Sequence, residues 1–67
     1  MFSVYVYYPN GDSDFLGIAH SMSESEKIAT LHHDYATVDI DRYEIRSVDL
    51  IQGPIVKTLR LAVPNGR

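Results

Sequence analysis

"FLGIAHSMSESEKIATLHHDY", residues 15–35, decides the fold, because the apolar period changes inside it. Before His20 the chain alternates like a strand, and Gly17 marks a bulge or a close backbone approach. After His20 the apolar positions Ile28, Leu31, His32 and Tyr35 recur at i, i+3, i+4 and i+7, the stripe of a helix. Ser23 and Glu26 have the spacing of a capping box, which predicts a helix from about Glu24 to Tyr35. Glu24 and Glu26 sit where the positive end of its dipole would lie.

Upstream, "FSVYVYY" (2–8) puts Phe2, Val4, Val6 and Tyr8 on one side and Ser3, Tyr5 and Tyr7 on the other. "PNGDS" follows, and Asn10-Gly11 predicts a tight hairpin turn in which both residues take positive φ. Downstream, "ATVDIDR" (36–42) reads as a short strand or a connector. "YEIRSVDLI" (43–51) is strand-like with a phase slip, since Tyr43 and Ile45 share one parity and Val48 and Leu50 the other. A bulge near Ser47 would reconcile them. "QGP" then reads as a turn. "IVKTLRLAV" (55–63) reads as the last strand, with Ile55, Leu59, Leu61 and Val63 on one face and Lys57 as its exception, and 64–67 as a frayed tail. The expected architecture is α+β, in the order ββαββ: two antiparallel hairpins forming one sheet, with one helix packed on one face. One helix cannot hide both faces of four strands, so the other is solvated or bound.

Sixty-seven residues make one domain, spanning 1–67, and a domain this short is marginally stable alone. The chain has no cysteine, which removes disulfides and thiolate metal sites. No apolar run approaches the ~20 residues of a membrane span. The N-terminus lacks the basic start and cleavage site of a signal peptide, and these features together point to the cytoplasm. A symmetric homodimer is the expected route to extra burial.

The net charge of −3 is unevenly placed. Residues 1–41 hold seven acids and one base, and residues 42–67 hold two acids and five bases. Arg46 and Arg60 on neighbouring strands suggest a cationic patch, with Arg42 and Lys57 beside it. The bland reading is a charged edge that resists strand pairing. The sharper one is a bipolar surface that meets charged partners.

His20, His32, His33 and Asp34 do not have metal-ligand spacing, because adjacent helical histidines point about 100° apart. Asp12, Asp14, Asp39 and Asp41 lack the glycine and distal Glu of a calcium loop. No nucleophile motif is present, so neither an enzyme nor a cofactor site is expected. "VYVYYPN" resembles the stacking strand of RNA-recognition motifs, but the element order and the second aromatic motif of that family are missing. Tyrosines on a sheet face also suit a protein interface, and the chain is acidic, unlike most nucleic-acid binders.

The expected function is therefore a non-enzymatic protein-binding module that docks on a larger protein, nucleic-acid-handling proteins being among the candidates, through Tyr5, Tyr7, Arg42, Arg46, Lys57 and Arg60. In size and style it resembles phage-encoded inhibitors, anti-CRISPR proteins among them, which would place it in the host cytoplasm. Single-stranded nucleic-acid binding and a small homo-oligomeric subunit are the alternatives.

Overall fold

The computed structural model describes residues 1–48 and 52–61. The elements run β1 (Phe2–Tyr7), β2 (Ser13–Ala19), α1 (Met22–Tyr35), β3 (Arg42–Val48) and β4 (Gln52–Leu59). The strands form one antiparallel sheet in the order β2-β1-β3-β4, so the two hairpins meet along β1 and β3. This is the expected ββαββ architecture. The chain leaves β2, passes through α1 and returns as β3 on the far side of β1.

The first turn differs from the Asn-Gly expectation. Tyr8 C=O accepts from Gly11 N–H at 3.0 Å, and Tyr8 N–H donates to Asp12 C=O at 2.9 Å. Pro9 and Asn10 therefore occupy the turn centre. Only Gly11 takes positive φ (96°), the three-residue loop geometry rather than the two-residue one. Asn10 keeps negative φ and closes the loop through its side chain, with Oδ1 accepting from Asp12 N–H at 2.9 Å. In the return strand, Val4 pairs with Gly17 and Tyr5 with Phe15, so Leu16 is the extra residue of a bulge.

The helix starts at Met22, two residues before the predicted start at Glu24. Ser21 is the N-cap: its Oγ accepts from Glu24 N–H at 3.1 Å, and Glu24 Oε1 accepts from His20 N–H at 3.4 Å. "SMSE" has the same box spacing as "SESE", and the earlier box is the one that forms, while Glu26 of the later one pairs with Lys57. The helix turns Ser25 and Ala29 fully inward and leaves Leu31 (51%) and Tyr35 (82%) exposed. The expected Ile28/Leu31/His32/Tyr35 stripe is therefore rotated. Met22, Ser25, Ile28, Ala29 and His32 form the packed side. Small residues there let the helix lie close to the sheet, and Ser25 Oγ is satisfied by donating to Ser21 C=O at 2.9 Å.

Val4, Val6, Ala29, Tyr43 and Ile45 form the buried centre, with Phe2, Tyr8, Leu16, Met22, Ile28, Ile40, Leu59 and Leu61 around it. Each fully buried aliphatic side chain contributes about 1.5–3 kcal/mol. The segment 36–41 is a connector, not a strand. It is held where Asp41 N–H donates to Tyr7 C=O at 2.9 Å.

The slip predicted at Ser47 lies in β4 instead. β3 pairs with β1 without interruption from Arg42 to Ser47, whereas the β3–β4 register shifts twice. "QGP" belongs to β4 and does not turn the chain. The connection falls at 49–51, so the expectations for Leu50 and, at the other end, Val63 and the tail lie outside the described residues. Pro54 is tolerated because β4 is an edge strand.

Candidate functional site

The sheet has two unlike faces. Val4, Val6, Tyr43 and Ile45 point to the helix side. Their neighbours point the other way, where no described element covers them. Three rungs cross this open face. Ser13, Tyr7 and Arg42 form one rung, and Phe15, Tyr5, Glu44 and Thr58 the next. Ile18, Ser3, Arg46 and Ile55 form the third.

The rungs carry a connected lattice. Glu44 lies between two guanidinium groups: Arg42 Nε donates to its Oε2 at 3.0 Å and Arg46 Nη2 to its Oε1 at 2.9 Å. Only 5% of the Glu44 side chain is exposed. Burial alone would raise its pKa, but hydrogen bonds from Arg46, Arg42 and Tyr7 outweigh it and hold the carboxyl below its usual value. Arg42 also donates from Nη1 to Asp41 Oδ2 at 2.6 Å. Its guanidinium lies 4.3 Å from the Tyr7 ring centre, and that of Arg46 lies 5.8 Å from Tyr5. Tyr5 meets Phe15 with ring centres 5.5 Å apart. Phe15 (55%), Ile18 (45%) and Ile55 (45%) stand exposed at the two sides.

Of the six residues expected to bind a partner, the structure brings together four: Tyr5, Tyr7, Arg42 and Arg46. Lys57 is corrected. It pairs with Ile45 in regular alternation with Leu59, on the helix side, where Nζ reaches Glu26 Oε2 at 2.8 Å; the register shift that follows moves Ile55 off that side to pair with Arg46. Arg60 is corrected as a neighbour of Arg46. Arg46 pairs with Ile55, whereas Arg60 follows Leu59, the partner of Tyr43, at the other end of the ladder. The compact cationic patch therefore does not form. Arg42 and Arg46 are matched by Glu44 and Asp41, so this group of four is electrically balanced. Sequence reading missed Phe15, Ile18, Ile55 and Glu44. The one signal for Glu44 was its i±2 spacing from two arginines, which puts all three on one strand face.

The histidines and aspartates are dispersed. His32 Nδ1 lies 2.8 Å from the hydroxyl of buried Tyr43, His33 approaches the same ring edge-on at 6.4 Å, and His20 is exposed. Burial, with Tyr8 and Asp34 nearby, pushes the Tyr43 hydroxyl up to about 12. Among the described residues no three His, Asp or Glu side chains are grouped to hold a metal ion. An open hollow of about 480 Å³ lies at the first turn, lined by Tyr8, Pro9, Asn10, Asp14, Val38 and Asp39. Tyr8 donates to Asp14 Oδ2 at 2.8 Å there, and the lining has no nucleophile with an adjacent base. No described helix is long and apolar enough to cross a membrane.

Comparison with protein-family models, with curated proteins and with solved structures gives no match for this chain.

Proposed function

We propose that the chain is a non-enzymatic protein-binding module that docks through its open sheet face and blocks or modulates a larger protein, in the manner of small phage-encoded inhibitors. One observation carries this reading. Tyr5, Tyr7, Phe15, Arg42 and Arg46 are gathered on a face that no described element covers, and the arginines are held in place before any partner arrives. Aromatic and arginine side chains dominate interface energetics, and ordering them in advance lowers the entropic cost of binding. The same geometry favours protein over nucleic acid. The arginine charges are already matched, and Arg42 stands over the Tyr7 ring, where a base would stack.

The test uses tagged protein to capture a partner from the native host, followed by affinity measurement with variants. Tyr7→Ala and Arg46→Glu should each weaken binding by about 2 kcal/mol, roughly thirtyfold, with circular dichroism unchanged. Full binding by both, together with loss in Glu24→Lys or Asp34→Lys, would move the working surface to the helix.

A further inference from the structure

We propose that the open sheet face pairs with the same face of a second copy about a two-fold axis along the β1–β3 seam. This rests on the reading of the open face as the working surface. The order β2-β1-β3-β4 puts two strands on each side of that seam. A rotation about it lays β1 of one copy over β3 of the other, and β2 over β4. The rungs then decide the chemistry. Tyr7 meets the second copy's Arg42, Tyr5 lies over its Glu44, whose buried carboxylate is held between the two arginines, and Ser3, itself buried, lies beneath its Arg46. Ile18 meets its Ile55, because both belong to the rung of Ser3 and Arg46. Phe15 lies over the second copy's Thr58 by the same rule. Every charged group faces a neutral partner, and exposed aliphatic carbon faces exposed aliphatic carbon.

The other two-fold axis in the interface plane, perpendicular to the strands, lays β3 on β3. It sets the partly exposed guanidinium groups of Arg42 and Arg46 against each other, a like pair, above the buried Glu44 of each copy. Like charges directly opposed are repulsive, so charge selects the seam axis. Aligned packing of two twisted sheets accommodates this arrangement, with the strands within about 30° of each other. The acidic chain can approach its copy here because Arg42 and Arg46 balance Glu44 and Asp41 on this face. Four strands at ~4.8 Å and rungs spanning ~20 Å give a footprint of about 400 Å² per copy. Stable complexes bury about 1,200 Å² or more in total, so this dimer is weak and yields to a larger partner.

The chain has no cysteine, so placed thiols give a clean readout. The variant Ile18→Cys/Ile55→Cys is treated with a bismaleimide of about 10 Å reach, the spacing of stacked sheets. The double variant should give at least tenfold more covalent dimer than either single variant, because a thiol at 18 faces 55 of the second copy and not another 18. Sedimentation of the unaltered protein should show mass rising toward twice the monomer at hundreds of micromolar. A monomer throughout that range overturns the proposal, as does equal linking by the single variants. If the protein is monomeric while Tyr7→Ala still abolishes capture of a host protein, the dimer is wrong and the open-face reading stands. If the double variant links as expected while Tyr7→Ala keeps all host-protein binding, the dimer stands and the host partner docks elsewhere.

Discussion

At the scale of single residues, Ser21 and Tyr43 have the most direct consequences. Ser21 Oγ accepts from the Glu24 amide in the first turn of the helix, so Ser21→Ala should lower stability by about 1 kcal/mol. Ser23, exposed inside the first turn, should tolerate the same change within about 0.5 kcal/mol. Chemical denaturation of the two variants separates them; equal losses would mean the helix frays to the later serine. Tyr43 is held un-ionised well above the ordinary phenol value of 10.0. A raised folded-state pKa gives stability that is complete below the unfolded value and is lost as pH rises through the folded one. The protein should therefore lose on the order of 2 kcal/mol between pH 10 and about 12. Tyr43→Phe should flatten that part of the curve while lowering stability at neutral pH by about 1 kcal/mol, because it strips His32 of its partner. Ultraviolet titration of the tyrosines alongside thermal unfolding checks both. A phenolate appearing at the ordinary value for every tyrosine would contradict the burial.

At the scale of elements, β4 is the informative strand. It bulges twice where β3 runs straight, and Gly53 is the position that permits the second irregularity. A Cβ at Gly53 would come within 2.7 Å of the Ser47 carbonyl oxygen, a backbone atom that cannot swing aside. Gly53→Ala should therefore destabilise the hairpin by about 1–3 kcal/mol, the cost of forcing β3 and β4 apart. Amide exchange should show the loss concentrated in β3 and β4, with β1, β2 and α1 keeping more of their protection. Uniform loss across the domain would show that the sheet opens as one unit. The link between β4 and the helix, Lys57 to Glu26, is half-exposed and should matter little. Glu26→Gln is expected to change the unfolding free energy by less than about 1 kcal/mol.

For the molecule as a whole, the balance of charge is the governing feature. The second half of the chain has an excess of bases, yet folding matches Arg42 and Arg46 with Glu44 and Asp41, and Lys57 with Glu26. Glu44 is central to this balance. Its pKa is depressed below 4.5, so its contribution is present above that value and is lost as pH falls through the lower folded-state value. Acid unfolding should thus begin below the ordinary carboxylate range. In Glu44→Gln the acid limb should be shallower, and stability at pH 7 should fall, because two half-buried guanidinium groups lose their shared counter-charge. An unchanged pH profile in that variant would assign acid sensitivity to another carboxylate.

The sequence by itself determined the element order, the α+β class and the two-sided character of β1. These depend on local period, and Phe2, Val4, Val6 and Tyr8 alternate whatever surrounds them. It also contained both possible helix caps, whose local hydrogen-bonding chemistry is the same; in the folded chain Ser21 and Glu24 form the box, while Glu26, the acid of the other, is paired with Lys57 of β4. The placement of the β4 residues depended on tertiary structure as well. A strand's period is two, so the bulge after Lys57 leaves Lys57 with Leu59 on the helix side and carries Ile55, which shares their parity, to the open face opposite Arg46. Glu44, Arg42 and Arg46 were legible as one strand face, but their meeting with Tyr5 and Tyr7 required the β1–β3 pairing. These strands lie far apart in the chain, and the pairing is fixed by the shared burial of Val4, Val6, Tyr43 and Ile45.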